Sequence, residues 1–210
     1  KSWVWHGADC LAPEYRHCLV QLSPGGGDAD VIREFDITSG AFVESGFTLP
    51  EAKSSVTWLD RDRLVVATDY GPDSLTTSGY PRIAKIWRRG TPLVEAETVI
   101  EAEPDHIGLT PFAMMDGNRR WTMIRRGLTF WTGETHLVTP TGLKPVPLPN
   151  DATVGDVIGG RLIAQLNSAL ELPGGMTLPV GSLVAVSLED VAAGRQPAIE
   201  LVMAPSGRQA

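Results

Sequence analysis

The sequence predicts an all-β protein, a β-propeller whose blades are four-stranded antiparallel meanders. Three observations predict this class. Gly (22) and Pro (16) are frequent in the 210 residues. No segment repeats apolar residues with helical spacing over about 11 positions, and short apolar runs recur between turn residues instead. The strand pattern recurs at about the length of a propeller blade, roughly 40–50 residues.

One tight hairpin is repeated three times along the chain. In its first copy, strand 56–59 turns at 60–62 and returns as strand 63–68. The later copies turn at 116–118 and at 158–160, again between two apolar strands. Asp, Asn and Gly at these turns are residues that a hairpin connection favours.

A looser hairpin follows each tight one, and the two together form a four-stranded meander. The first strands of the looser hairpins begin at 83, 136 and 183. The N-terminal stretch fits the same pattern less closely, with strands predicted at 3–7, 18–22, 31–35 and 41–44. We therefore predict four blades, within one propeller domain, at residues 1–50, 51–104, 105–149 and 150–205.

Two ring architectures fit four blades. They close a four-bladed ring by themselves, or they form part of a seven-bladed ring, since propellers have about four to eight blades. In the second case, the open blade edges favour self-association, because unpaired strands bind other strands.

Two other kinds of element are expected outside the strands. One short helix is predicted at 187–194, with Ser187 as its cap and Gly194 at its end. Long loops at 69–80 and 167–181 each connect a second strand to a third strand, so we expect both on one face of the propeller, where binding residues are common.

Composition excludes two classes of partner. The chain has 18 Lys and Arg against 25 Asp and Glu, a net charge of −7, and its basic residues occur only as isolated pairs. Nucleic-acid binding needs clustered cations, so we expect no nucleic-acid partner. No apolar run approaches the roughly 20 residues of a bilayer-spanning helix, so we expect no membrane segment.

No motif of a catalytic centre is found in the 210 residues. None of the twelve serines has glycine two positions before and two after, as a nucleophile elbow requires. The four histidines do not form a His-Glu-x-x-His zinc motif, and the glycines at 25–27 adjoin acidic residues that would repel phosphate. We therefore predict no catalytic residue, metal or cofactor in this chain.

Four residues of metal-binding types lie near the N-terminus, at His6, Cys10, His17 and Cys18. Neighbouring residues of a strand point to opposite faces, so His17 and Cys18 cannot readily bind one ion. We expect core packing rather than zinc coordination. Two cysteines also make no disulfide framework. Cys10 and Cys18 could pair with each other, but we expect two small, mostly buried side chains.

Several segments of the first half share a pattern with one enzyme family. In chain order they are 3–9 (WVWHGAD), 33–36 (REFD), 47–53 (FTLPEAK), 58–60 (WLD), 68–72 (TDYGP), 74–76 (SLT), 78–82 (SGYPR) and 87–92 (WRRGTP). This stretch resembles the propeller domain of bacterial prolyl oligopeptidases. The resemblance is continuous over 3–105, weakens over 106–150 and returns around 174–183.

The resemblance implies a two-part serine endopeptidase. In this family a seven-bladed propeller limits access to an α/β-hydrolase domain with a Ser-Asp-His triad, which cleaves short peptides after proline. This chain would supply about four blades and none of the triad, so it would have no hydrolase activity alone. The implied partners are short peptide substrates and the hydrolase domain of the same parent chain, which lies outside this sequence. The expected location is the cytoplasm.

The resemblance also implies candidate substrate-channel residues. Loop 69–82 lies in sequence from which the family places side chains near the substrate. Tyr80, Arg82 and Trp87 are therefore candidates for the substrate channel, although the sequence favours structural roles for all three.

Two alternatives belong to other functional classes. One is a stand-alone propeller that acts as a binding module without enzymatic activity. The other is a lyase- or glycosidase-type propeller with a site in its central channel, for which Asp9, His106 and Asp156 are the available residues. The chain begins at Lys1, so we expect a processed N-terminus or a piece of a longer protein. The parent reading frame distinguishes an enzyme fragment, which requires a hydrolase segment, from a stand-alone binding module.

Overall fold

Antiparallel β-strands make up most of the structure, a computed structural model that describes residues 2–206. The strands form four larger sheets, which confirms the predicted all-β, propeller-like class of four-stranded antiparallel units. The chain divides into two compact units, residues 1–113 and 114–210, and the division falls within strand β10 (Gly108–Asp116).

The first sheet departs from the predicted meander in its outer part. Its strand order is β1-β2-β3-β4, and a fifth strand, β5, also pairs with β3. The strands are β1 (Trp3–Cys10), β2 (His17–Pro24), β3 (Asp30–Asp36), β4 (Ala41–Phe42) and β5 (Thr48–Ala52). The fourth strand predicted at 41–44 is therefore shorter, and a further strand follows it.

The break between β4 and β5 is centred on Glu34. The backbone of Glu34 accepts a hydrogen bond from Val43 N (3.0 Å) and donates one to Phe47 O (2.9 Å), so residues 44–46 loop out. A Cβ at Gly46 would lie 2.9 Å from the Cβ of Glu34. Only glycine therefore fits at this close approach, and the loop cannot continue as a regular strand.

The second sheet follows the predicted pattern of a tight and a looser hairpin. Its order is β6-β7-β8-β9. The strands are β6 (Ser55–Asp60), β7 (Arg63–Ala67), β8 (Ile83–Arg88) and β9 (Glu97–Glu101), with a short 3₁₀ helix at Leu93–Glu95. The predicted long loop lies between β7 and β8.

The core of the first unit lies between these two sheets. It contains Leu19, Ile32, Phe47, Leu49, Val56, Trp58, Leu64, Val66 and Trp87. Trp58 is fully buried, and its indole N–H donates to the backbone oxygen of Asp9 at 2.9 Å. The Asp9 carboxylate accepts from the hydroxyl of Thr57 at 2.7 Å, so β1 is tied directly to β6.

Cys10 and Cys18 form a disulfide, so the expectation of separate cysteines is wrong. The two residues lie directly opposite each other in the antiparallel pair of β1 and β2. Cross-strand neighbours have Cβ atoms close enough to interact, and the register therefore brings the two sulfur atoms together. Spacing along the sequence does not reveal that register.

The two histidines of the suspected metal cluster contact different carboxylates. Nδ1 of His6 lies 2.7 Å from Asp30, and Nδ1 of His17 lies 3.0 Å from Glu34. Within residues 2–206, no group of three or more His, Cys, Asp or Glu side chains has the arrangement of a metal site.

The third and fourth sheets supply most of the second half of the chain. Their orders are β10-β11-β12-β13 and β14-β15-β18-β19, and β16 and β17 form a small separate hairpin. The further strands are β11 (Arg119–Gly127), β12 (Gly133–Thr139), β13 (Gly142–Pro145), β14 (Thr153–Ile158), β15 (Arg161–Gln165), β16 (Leu170–Glu171), β17 (Thr177–Leu178), β18 (Leu183–Ser187) and β19 (Ile199–Met203). The assignment of the sheets to the four predicted blade ranges stays a prediction.

The predicted helix is confirmed as α1 (Leu188–Ala192). The Ser187 hydroxyl accepts a hydrogen bond from Asp190 N, as an N-cap does, and Gly194 follows with φ +67°. In the described part of the chain, no helix combines the length and the hydropathy needed to cross a bilayer.

Candidate functional site

The three predicted channel residues lie at two ends of β8. Tyr80 and Arg82 precede the first residue of this strand, whereas Trp87 is its penultimate residue. A strand rises about 3.3 Å per residue, so Arg82 and Trp87 are separated by about 16 Å along β8. The structure therefore brings Tyr80 and Arg82 together but not Trp87.

Trp87 is a core residue. It is 8% exposed, its ring packs edge-on against Phe47 with centroids 4.9 Å apart, and its N–H donates to Thr91 O at 2.8 Å. Burial of an aromatic ring of this size stabilises the first unit by excluding water from apolar surface. A substrate would reach this indole only if the core opened.

Arg82 holds the loop in place. Its Nε donates to Asp73 O at 2.7 Å and its Nη1 donates to Ala102 O at 2.8 Å, while Glu101 lies 3.6 Å from Nη1. The guanidinium thus joins the loop to the segment that follows β9. Two of its N–H groups donate to these carbonyls, so the guanidinium is fixed at both Nε and Nη1.

Tyr80 presents an exposed aromatic ring on the same loop. The residue is 41% exposed, and the ammonium of Lys53 lies 4.2 Å from the ring centroid. Such a cation–π contact orients the ring without covering it fully. Of the three predicted residues, Tyr80 has the side chain most accessible to a ligand.

The loop that carries Tyr80 is internally bonded. The Ser74 hydroxyl contacts Gly71 O at 2.7 Å and Asp69 Oδ1 at 3.0 Å, and the buried hydroxyl of Tyr70 donates to Val66 O at 2.8 Å. Burial raises the pKa of Tyr70, so its hydroxyl stays protonated and keeps this hydrogen bond. The loop is therefore a preorganised support for Tyr80.

A second candidate site, a charged cluster around Glu34, was not predicted from the sequence. Glu34 is fully buried on β3. Arg89 Nη1 donates to Oε2 at 2.7 Å, Arg61 Nη1 donates to Oε1 at 3.0 Å, and Phe47 N donates to Oε2 at 3.1 Å. The sequence does not reveal this cluster, because the partners of Glu34 come from distant positions in the chain.

The cluster keeps Glu34 ionised. Burial alone would raise the pKa of this carboxyl, but the hydrogen bonds from Arg89 and Phe47 and the charge of Arg61 outweigh it and lower the pKa below its ordinary value. A carboxylate with a lowered pKa is a poor general base at neutral pH. Glu34 is therefore suited to fixing cations rather than to moving protons.

The Arg61 and Arg89 side chains line a cleft of about 470 Å³ at the hairpin ends of the second sheet. Asp60, Asp62, Arg63 and Arg88 complete its lining. Acidic and basic groups alternate there, and Arg89 also contacts Asp62 at 3.2 Å. Arg61 and Arg89 both pair with the Glu34 carboxylate, so this arrangement fixes the β6–β7 turn and the end of β8 against β3.

The residues considered for a channel-centred lyase or glycosidase make structural contacts in three different places. Asp9 bonds to the Thr57 hydroxyl, His106 Nδ1 accepts from Glu103 N at 3.2 Å, and Asp156 accepts from the neighbouring Val157 N at 2.8 Å. The Asp9 contact joins β1 to β6, whereas the contacts of His106 and Asp156 lie within their own segments.

Comparison with known proteins identifies similar sequences and folds. The profile of the family described as "Prolyl oligopeptidase, N-terminal beta-propeller domain" matches residues 2–146. An uncharacterized peptidase of Sinorhizobium fredii is 36% identical over 195 residues, and one of Rickettsia prowazekii is 23% identical over 205 residues. These alignments cover 90% and 91% of this chain.

A solved structure has the same fold over nearly the whole chain. A post-proline cleaving enzyme from Rickettsia typhi superposes on 98% of this chain with a TM-score of 0.84 at 21% identity. The alignment covers 32% of that enzyme, and those with the two peptidases cover 27% and 28% of their lengths. The chain thus spans about a third or less of each of these proteins.

Proposed function

This chain belongs to the prolyl oligopeptidase family, as part of its N-terminal β-propeller domain, and on this basis we propose that it is the substrate-gating part of a serine endopeptidase. The substrates would be short peptides that contain proline. The parent protein would carry the catalytic triad in an α/β-hydrolase domain outside this sequence, and this chain would have no hydrolase activity alone.

One observation carries this proposal. The chain is 36% identical to a peptidase over nine tenths of its own length, yet spans only 27% of that protein. Acyl-transfer chemistry needs a nucleophile, a base and an oxyanion hole in one place. Since no serine in this chain has the flanks of a nucleophile elbow, those groups are assigned to the remainder of the parent protein.

The geometry of the first unit supports a role in admitting substrate. Arg82 fixes the loop after β7, and the exposed ring of Tyr80 projects from that loop. Aromatic rings pack well against apolar side chains and proline rings. We assign Tyr80 to contact the peptide, Arg82 to position the loop and Trp87 to hold the core beneath it.

The partners follow from the same proposal. They are the hydrolase domain of the same polypeptide and the short peptide. A cytoplasmic location remains part of the proposal, and the Cys10–Cys18 disulfide makes it worth testing, because cytosolic thiols are usually kept reduced. Fractionation of the native cells, with the redox state of both cysteines read by mass spectrometry, would test the location.

Peptide cleavage by the full-length parent tests the function. We expect an octapeptide with one internal proline to be cut after that proline, and the same peptide with alanine in its place to remain intact. A Tyr80→Ala variant should raise KM more than it lowers kcat, whereas Tyr15→Ala removes a similarly exposed ring elsewhere and should change neither. A parent protein without a hydrolase segment would contradict the proposal and favour a stand-alone binding module.

A further inference from the structure

The fold gathers four arginines that the sequence places in two separate segments. Arg61 and Arg63 come from the hairpin of β6 and β7, and Arg88 and Arg89 come from the end of β8. All four line the cleft of about 470 Å³. Because the whole chain carries a net charge of −7, its composition does not indicate such a concentration of cations.

Three carboxylates accompany these four guanidinium groups. Asp60 accepts a hydrogen bond from Arg63 Nε at 2.7 Å, and Asp62 accepts one from Arg89 Nε at 3.2 Å. The third carboxylate is the buried Glu34, which also binds Arg89 and whose lowered pKa keeps it ionised. The cluster therefore contains one more cation than it has anions.

The uncompensated cation is Arg88. Its side chain is exposed, and no residue among 2–206 accepts a hydrogen bond from it or forms an ion pair with it. A guanidinium has five N–H donors. Arg61 also has unused donors, since within the same residues only its Nη1 donates, to Glu34 at 3.0 Å. Both side chains thus bring unused donors to one cleft.

The sheet register makes Arg88 unfavourable for stability. In the antiparallel pair of β7 and β8, Arg88 lies directly opposite Arg63. Like charges at opposite positions destabilise a sheet. Asp60 compensates the charge of Arg63, whereas no described residue compensates Arg88. Residues that lower stability in this way are typical of functional positions, and a bound anion would remove the repulsion.

The walls of the cleft are fixed before any ligand binds. Arg89 N donates to Asp62 O at 2.7 Å, and Arg89 Nη2 donates to Arg61 O at 2.8 Å. These bonds join the turn between β6 and β7 to the end of β8. A preformed site loses little conformational entropy on binding, which favours affinity for a small ligand.

We infer that this cleft binds one carboxylate group, held by Arg88 together with the unused donors of Arg61. The two oxygens of a carboxylate match the planar fork of a guanidinium. A single negative charge also neutralises the cluster, whereas a phosphate dianion would leave it with an excess of negative charge.

The ligand that we assign is the C-terminal carboxylate of a short peptide. This identity rests on the proposed function, because substrates and products of a peptidase carry such a group, whereas the carboxylate site itself does not depend on it. Tyr80 precedes β8 and the cleft lies at the far end of that strand, so the site is separate from the one assigned to Tyr80.

Calorimetric titration of the full-length parent tests the inference with three probes. They are trialanine with a free carboxylate, trialanine amide and inorganic phosphate. Trialanine contains no proline, so the proposed cleavage does not consume it. We expect trialanine to bind about tenfold or more tightly than either other probe. Phosphate binding that is tighter, and is lost with Arg88, would keep an anion site but overturn the peptide as its ligand.

Two variants locate the binding. Arg88→Met removes one positive charge from the cleft and keeps the apolar stem. Arg33→Met is the matched control, because Arg33 is also exposed and lies in the same unit but outside the cleft. We expect Arg88→Met to weaken trialanine binding by about tenfold and Arg33→Met to leave it unchanged. Equal affinities of the two variants would overturn the inference.

Stability measurements separate a ligand-binding role from a structural one. Without ligand, Arg88→Met should unfold at the wild-type urea concentration or above it, because the like-charge pair with Arg63 is gone. Trialanine should raise the urea midpoint of the wild type but not that of Arg88→Met. A lower midpoint in the unliganded variant would make Arg88 a structural residue and overturn the inference.

The binding measurements do not depend on catalysis, so the two proposals fail separately. A parent that binds trialanine through Arg88 but does not cleave after proline would keep the carboxylate site and overturn the proposed function. A parent that cleaves after proline but binds trialanine equally well without Arg88 would overturn only this inference.

Discussion

Arg89 binds the buried carboxylate of Glu34 across 55 positions of the sequence, with Nη1 donating to Oε2 at 2.7 Å and Nη2 donating to Oε1 at 3.2 Å. The Arg89 side chain is 21% exposed, whereas that of Glu34 is fully buried. The contact therefore joins the end of β8 to the middle of β3 and neutralises a charge that has little access to water.

Replacing Arg89 should destabilise the first unit strongly. In Arg89→Met the apolar stem is kept, but the buried Glu34 loses its main partner, and we expect the free energy of unfolding to fall by about 3 kcal/mol. Urea unfolding followed by tryptophan fluorescence measures this change.

Arg195→Met is the matched control, because Arg195 contacts Asp190 from a side chain that is 63% exposed. Exposed ion pairs add little to stability, so this variant should unfold at nearly the wild-type urea concentration. Equal effects of the two substitutions would mean that the Glu34 cluster does not contribute as its burial indicates.

The disulfide should stabilise the hairpin of β1 and β2. Cys10 and Cys18 are separated by eight positions, and closing a loop of this length contributes about 2–3 kcal/mol in the chain-entropy account. We expect a reducing agent to lower the urea midpoint of the wild type. The Cys10→Ala, Cys18→Ala double variant should unfold at the reduced midpoint whether or not the reducing agent is present. A wild-type midpoint that does not respond to reduction would contradict this expectation.

His136 should make stability depend on pH in the weakly acidic range. Burial lowers the pKa of His136 below the ordinary value of 6.5, and this effect outweighs the nearby Glu134, which pairs with Arg126. The unfolded chain therefore takes up the proton first, so the stability that neutral His136 supports is complete above pH 6.5 and is lost as pH falls through its folded-state pKa.

The variant His136→Gln should flatten the stability profile below pH 6.5, and urea midpoints measured at a series of pH values would show the difference. His106→Gln serves as the control and should keep the wild-type slope in that range. An unchanged slope in His136→Gln would assign the pH dependence to other groups.

The features that the sequence predicted well depend on neighbouring residues. Turn residues such as Asp60 and Gly159, placed between apolar strands, fix a hairpin locally, and Ser187 caps α1 by the same short-range logic. These patterns need no knowledge of distant contacts. They were sufficient for the fold class, the long loops and the single α-helix of the described residues.

The features that the sequence did not predict depend on register and long-range contacts. The disulfide requires Cys10 and Cys18 to be paired across two strands, and the short β4 follows from the close approach of Gly46 to Glu34. Trp87 lies in a segment shared with the enzyme family, but its partner Phe47 belongs to another sheet region, and this contact places it in the core. The resemblance to the family therefore identified the segment that contains Trp87, but not the residues that surround its side chain.

The gating claim is tested most directly by presenting one proline site to the full-length parent in two forms. The first is a free octapeptide, and the second is the same eight residues within an exposed loop of a stable folded protein. Mass spectrometry would follow cleavage after proline in both. We predict cleavage of the free peptide and none of the folded protein, because the propeller would exclude the folded protein. Equal cleavage of the two substrates would contradict a gating role for this chain.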